Sequence, residues 1–96
     1  MQREIQTDVT GLVDCFRALA DPTRIALLKL LREQPRAVDE LVTALALPQP
    51  KVSRHLAYLR RCGLVQAKRA GRHVYYRLSN GETSGGWMRA IVLTLP

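Results

Sequence analysis

Apolar residues recur at steps of three and four in successive stretches of the chain, and each such stretch reads as an amphipathic helix. The first runs from about Val9 to Ala20, with Val9, Leu12, Val13, Phe16 and Leu19 on its stripe and Asp14 and Arg17 on the other side. Asp21-Pro22 then supplies an N-cap followed by proline at the first helical position, where the missing N–H costs nothing. In the second helix Ile25, Leu28 and Leu31 share one side while Leu27 and Leu30 widen the stripe, which predicts burial on most faces. It should end near Gln34, because the residue before Pro35 resists the α conformation. Val38, Leu41, Val42 and Leu45 make a short third stripe that stops around Ala46-Leu47-Pro48. Val52, Leu56 and Leu59 make a fourth, with Pro50 tolerated in its first turn and Gly63 as its stop. Beyond Gly63 the period falls to two: Val65 and Ala67, then Val74, Tyr76 and Leu78, alternate with Gln66, Lys68, His73, Tyr75 and Arg77, the pattern of a β-hairpin. A Gly-, Ser- and Thr-rich loop from Asn80 to Gly86 leads to a last apolar segment, Trp87 to Leu95, read as a helix carrying Met88, Ile91, Val92 and Leu95.

Two short helices joined by about three residues, over about residues 38–62, outline a helix-turn-helix, and the hairpin at about 65–78 follows as a wing. The fold class expected is therefore mainly α with a β-hairpin: a winged helix-turn-helix of about five helices. The chain has 96 residues, enough for one small domain (1–96) and too few for two cores. Hydrophobic residues at 47% and charged residues at 24% exclude disorder and fibrous repeats. No apolar run is long enough to span a bilayer, and Met1-Gln2-Arg3-Glu4 does not open a signal peptide, so a cytoplasmic protein without a membrane partner is expected.

Charge narrows the class of partner. Fifteen Lys and Arg against eight Asp and Glu give a net charge of +7, which suits an anion such as nucleic acid. At about 100° per residue, with Val52 pointing inward, Leu56 and Leu59 follow it while Pro50, Arg54, Ala57 and Arg61 face away. The N-terminal half of the fourth helix therefore displays Gln49, Lys51, Ser53 and Arg54, and His55 flanks the apolar stripe. These are base-reading types: Gln is bidentate to adenine, Arg to guanine, and Ser suits either. A solvated polar face would explain this helix alone equally well. The hairpin tip, Lys68-Arg69-Ala70-Gly71-Arg72-His73, tips the balance toward double-stranded DNA, because two adjacent basic elements match a recognition helix plus a wing on phosphate or minor groove. A winged-helix module binding an acidic protein is the more remote alternative. Enzyme readings fail for want of parts: there is no Gly-rich phosphate loop, nucleophile-elbow Ser, H-E-x-x-H helix or plausible carboxylate pair.

Ala18-Leu19-Ala20-Asp21-Pro22-Thr23-Arg24, Gln49-Pro50-Lys51-Val52-Ser53-Arg54-His55-Leu56, Cys62-Gly63-Leu64-Val65 and Gly71-Arg72-His73-Val74-Tyr75-Tyr76-Arg77-Leu78, at their spacing, resemble the ArsR family of winged-helix, metal-responsive bacterial repressors over about residues 12 to 79. The resemblance implies a homodimeric repressor whose first and last helices pack across a two-fold axis, with Gln49, Lys51, Ser53, Arg54 and His55 at recognition-helix positions. Leu12, Phe16 and Leu19 on the first helix and Trp87, Ile91 and Leu95 on the last are the candidate dimer interface, since they offer more apolar surface than a domain this small should expose. The operator should then be an imperfect inverted repeat.

Departures from the family pattern bear on the effector. Ala37-Val38-Asp39 stands where arsenic-sensing members often carry Cys-Val-Cys, and the segment after Trp87 has none of the ligand types that zinc-sensing members use there. Ala46 replaces the glycine usual in the turn, so a slightly altered turn is expected, a left-handed alanine costing about 1 kcal/mol. Cys15 and Cys62, the only cysteines, are the candidates for a soft-metal site, for As(III) or another thiophilic ion. One chain's two thiols cannot complete the three-sulfur site As(III) prefers. Core packing of both cysteines, a thiol redox switch and a repressor that answers to no metal are the alternatives. No metal ligand lies at helical or hairpin spacing from His55 or His73, for which packing or DNA contact is expected.

Overall fold

A computed structural model describes residues 13–79 and 86–96. Residues 13–19 are helical (α1), and the start of that helix near Val9, like Leu12, lies outside the described residues. There follow α2 (Pro22–Glu33), β1 (Arg36–Ala37), α3 (Val38–Leu45), α4 (Gln49–Arg61), β2 (Val65–Ala70), β3 (His73–Leu78) and α5 (Gly86–Leu93). The strands form one antiparallel sheet in the order β1-β3-β2. In its hairpin Val65 pairs with Leu78, Ala67 with Tyr76 and Ala70 with His73, leaving Gly71 at φ +64 and Arg72 as a two-residue turn.

Each boundary has a local cause. Asp21 caps α2 as expected, its Oδ1 accepting the backbone N–H groups of Thr23 (2.8 Å) and Arg24 (3.0 Å). Extended Gln34 ends that helix before Pro35. The sequence pattern did not predict β1: Arg36 pairs with Tyr76 and Ala37 with Tyr75, a strand too short to show a period. The Ala37 N–H also donates to Glu40 Oε1 (2.8 Å), which starts α3 directly after the strand. At the end of α4, Gly63 adopts φ +76, and the Gly63 and Leu64 N–H groups return to the carbonyls of Arg60 and Leu59, both at 3.0 Å. This is a Schellman stop, whose left-handed residue favours glycine.

In the turn between α3 and α4, Ala46 takes the left-handed conformation itself, at φ 54 and ψ 43. Its neighbours Leu45 and Leu47 both pack against the core, so the residue between them is held in place despite the strain.

Leu27, Leu28 and Leu31 of α2, Leu41 of α3, and Val52, Leu56 and Leu59 of α4 meet Leu64, Val65, Leu78 and Val92 in a single core. Ile25 and Leu30 are only half-buried, so α2 is covered on less of its surface than its leucines suggest. Arg89 donates to the Ser79 carbonyl (2.8 Å), and Arg32 donates to the carbonyls of Val92 (3.1 Å) and Leu95 (2.6 Å), which docks the end of α5 on α2.

Candidate nucleic-acid interface

No Asp or Glu stands between Glu40 and Glu82, a stretch that includes all of α4 and the hairpin and contains Lys51, Arg54, Arg60, Arg61, Lys68, Arg69, Arg72 and Arg77. The positive charge of the chain is thus gathered on consecutive elements with no carboxylate among them.

Burial orients α4 within that stretch. Val52, Leu56 and Leu59 are fully buried, whereas Gln49, Pro50, Lys51, Arg54 and Ala57 are exposed and Ser53 is half-buried. The helix opens at Pro48 without a side-chain cap, so its positive end stays uncovered beside Lys51. Small Ala57 leaves the exposed face low enough for close approach to a groove. In the hairpin, Lys68, Arg69, Ala70, Gly71, Arg72 and His73 are all exposed, and His73 meets the Tyr75 ring edge-on at 6.2 Å between centroids.

His55 sits apart from this set. It is half-buried, and its Nδ1 lies 3.4 Å from Nη1 of Arg24. A guanidinium only donates, so Nδ1 is the acceptor in this contact.

Arg24 is the residue that sequence reasoning passed over. It donates from Nε to the Ala18 carbonyl (3.0 Å) and from Nη2 to the Arg17 carbonyl (2.8 Å), while its guanidinium lies over the Tyr58 ring at 4.1 Å from the centroid. Arg61 approaches the same ring at 5.3 Å. Arg24 therefore ties the end of α1 to the middle of α4. A signal was available: a cation in the first turn of a helix opposes the helix dipole, so such a position needs a reason outside its own helix.

Of the predicted interface residues, Phe16 is 50% exposed, and Leu19, Ile91 and Leu95 are half-buried against the core. Trp87 falls in α5, but its side chain, like Leu12, lies outside the described residues. Val13 (37% exposed) and Leu93 (51%) are further large apolar side chains open on α1 and α5, and Leu93 was missed because it lies off the stripe of Ile91 and Leu95.

Cys15 is buried in the core, and Cys62 is half-buried at the end of α4, both as free thiols. Cys62 Sγ lies 3.8 Å from the carbonyl oxygen of Asp14, next in sequence to Cys15. Burial first, and then the charge of Asp14, pushes the Cys15 thiol up; burial and then Cys15 push Cys62 up. Among the described residues no group of three or more His, Cys, Asp and Glu is placed to hold a metal ion, and no helix is long and apolar enough to cross a membrane.

Comparison with known proteins gives concordant results. Residues 21–67 match the family described as "Bacterial regulatory protein, arsR family". The chain is 52% identical over 78 residues to the HTH-type transcriptional repressor SmtB of Mycobacterium tuberculosis, covering 81% of this chain and 56% of SmtB. It thus spans about half the length of the curated relative. The transcriptional activator HlyU of Vibrio cholerae is 35% identical over 80 residues, covering 83% of this chain and 74% of HlyU. The structure of reduced HlyU superposes with a TM-score of 0.79 at 31% identity, over 95% of this chain and 90% of that one. The homodimeric winged helix-turn-helix DNA-binding domain of Mycobacterium bovis Mb0332 superposes with a TM-score of 0.82 at 29% identity, over 97% and 83%.

Proposed function

The chain belongs to the arsR family of bacterial regulatory proteins, and on that premise we propose that it is a transcriptional repressor, not an enzyme, that binds an inverted-repeat operator in double-stranded DNA as a homodimer. The observation that carries this reading is the carboxylate-free stretch of chain between Glu40 and Glu82, in which the N-terminal half of α4 and the hairpin tip both present exposed cations. In this reading Gln49, Lys51, Ser53 and Arg54 face base edges and nearby phosphates, and Lys68, Arg69, Arg72 and His73 follow the backbone. His55 acts from behind, through Arg24, more than by direct contact. Assembly uses α1 and α5, whose exposed Val13, Phe16 and Leu93 would be covered by the same residues of a second copy. The homodimeric Mb0332 domain and the repressor SmtB support the reading. Its place of action is the cytoplasm, where the operator is.

The effector in this reading is a metal ion that releases the operator. Of the ligands in this chain, Cys15 and Cys62 are the soft ones that a thiophilic ion would use, and As(III) would need a third thiolate beyond the two that one chain holds. The central experiment is selection of bound duplexes from a random pool: the recovered site should be an imperfect inverted repeat with half-sites about one helical turn apart. Recovery of no common sequence would refute specific recognition.

A further inference from the structure

The end of α4 and the base of the hairpin border an open hollow of about 430 Å3, a volume within the range of small-molecule sites, whose wall includes Arg60, Gln66, Lys68, Arg77 and Ser79. Gln66 pairs directly with Arg77, and Lys68 lies two residues further along β2, so these three share one face of the sheet, opposite to buried Val65 and Leu78. The left-handed stop at Gly63 turns the chain from α4 into β2 and brings Arg60, in the last turn of α4, to the edge of the same hollow. Three cations thus border one concavity, and the described residues of its wall include no carboxylate. Among the described residues, none of the three makes an ion pair or a side-chain hydrogen bond. Backbone acceptors around them are already engaged: the Gly63 carbonyl accepts the Ser79 hydroxyl at 2.6 Å, and the Ser79 carbonyl accepts Arg89 at 2.8 Å. What the hollow offers a ligand is therefore chiefly charged donors: two planar guanidiniums, each able to make bidentate contact with a phosphate, and one ammonium.

We propose that this hollow binds a small organic phosphate through a terminal, dianionic phosphoryl group, with Arg60 and Arg77 gripping the group and Lys68 adding charge. Three cations match a dianion better than the single charge of a backbone phosphodiester. Position agrees with this. Arg60 lies about 16 Å along the helix from Gln49, and the Gln66–Arg77 pair lies about 13 Å along the hairpin from the Ala70–His73 pair that flanks its turn. The hollow is set back from both elements proposed to meet DNA, and Lys68 is the one residue common to the two surfaces. Binding of the phosphate does not rest on the function proposed above.

The test titrates the isotopically labelled full chain with AMP at constant ionic strength and follows the backbone amide resonances, with adenosine as the uncharged control. One saturable site is expected, half-filled below about 1 mM, with the largest shifts at residues 63–68 and 77–79. Arg60→Gln or Arg77→Gln should weaken AMP binding about tenfold or more, since each removes a charge-assisted contact. Arg72→Gln, the same loss of charge in the hairpin turn, should leave it within about twofold, because salt screens a distant exposed charge. All three arginines are exposed, so the variants should keep the fold, which thermal melting checks. Shifts that rise without saturating, a response to adenosine equal to that to AMP, or equal weakening by Arg72→Gln would each overturn the site. Random duplex tests whether the DNA backbone is the occupant instead. Arg60→Gln and Arg77→Gln should leave duplex affinity and its salt slope almost unchanged, and a loss as large as that from Arg72→Gln would assign the hollow to DNA phosphates and overturn the proposal. Failure of the wild type to bind any duplex would refute the function proposed above and leave a positive AMP result standing.

Discussion

Arg24 stands with its guanidinium 4.1 Å above the ring centroid of Tyr58, so a residue at the start of α2 is seated on the helix proposed to enter the groove. The same guanidinium bonds the Arg17 and Ala18 carbonyls at the end of α1, where the Arg17 carbonyl also accepts the Ala20 N–H at 3.0 Å. Arg24→Ala should cost about 2 kcal/mol in urea unfolding, from two charge-assisted hydrogen bonds and a cation–π contact that are all partly solvated. Arg24→Lys should recover little of this, because a point charge cannot span two carbonyls and lie flat on a ring. Full recovery by lysine would show that charge alone matters there.

The Asp21 carboxyl is held below the usual carboxylate range, first by the Arg24 backbone N–H, with His55, the Thr23 N–H and the Arg24 charge adding to it and partial burial opposing. A lowered folded-state pKa stabilises the fold at every pH above the ordinary carboxylate value, and the benefit fades as pH falls through that value to the lowered one. At neutral pH Asp21→Ala should cost about 1 kcal/mol, while Asp21→Asn should keep most of the cap. Below about pH 4 the wild type should lose stability toward that of Asp21→Ala, and Asp21→Asn should lack this acid-dependent loss. Parallel acid arms for wild type and Asp21→Asn, in melts from pH 7 downward, would remove Asp21 from the acid response.

Ala46 at φ 54 carries a strain that glycine would not. Ala46→Gly should stabilise the protein by up to about 1 kcal/mol, less the entropy gained by the unfolded chain. A destabilised Ala46→Gly variant would mean that the methyl group packs usefully and that its packing outweighs the strain of the left-handed angles.

These three sites also mark what the sequence made legible. Asp21-Pro22 and Cys62-Gly63 are local signals, each fixed by a cap whose partners lie within a few residues, and both boundaries fall where those residues place them. The outward face of α4 was legible for a similar reason: Val52, Leu56 and Leu59 define an inward direction, and the exposed set follows by rotation. What escaped was long-range. β1 exists only because β3 offers an edge to Arg36 and Ala37, and nothing in two residues announces a partner forty positions away. Arg24 and Tyr58 are ordinary residues until the fold stacks them. Cys15 and Cys62 could be listed from the sequence, but only packing shows that they share a seam.

Assembly should answer to the exposed apolar residues of α1 and α5. Leu93, 51% exposed, touches the core least of these and is the cleanest probe. Leu93→Glu should place a charge in the proposed contact and shift the dimer toward monomer by about tenfold or more in Kd, since burying an unpaired carboxylate costs at least about 1.4 kcal/mol. The melting temperature of the isolated protomer should barely change. Sedimentation at micromolar concentration decides the matter: an unchanged dimer would place the contact elsewhere, and a wild-type monomer that still binds the operator tightly would remove the dimer from the mechanism.

Arg54 and Arg72 separate reading from positioning. Arg54 is exposed on the outward face of α4, one turn beyond Pro50, where a side chain can lie along base edges; Arg72 is exposed in the hairpin turn, where it meets whichever backbone is near. Arg54→Ala should therefore cost about 1–3 kcal/mol on the operator and much less on random duplex, because a guanidinium bidentate to guanine is lost only where that guanine is present. Arg72→Ala should weaken both duplexes nearly equally and make the salt dependence shallower by about one counterion per protomer. For the wild-type dimer, neutralising about 8 to 10 phosphates would give a slope of log K on log salt of roughly −7 to −9. Affinities for both duplexes across a salt series contain every quantity needed. Equal losses for Arg54→Ala on operator and random DNA would assign that residue to phosphate, and a larger loss for Arg72→Ala on the operator would move the sequence reading from the helix to the wing.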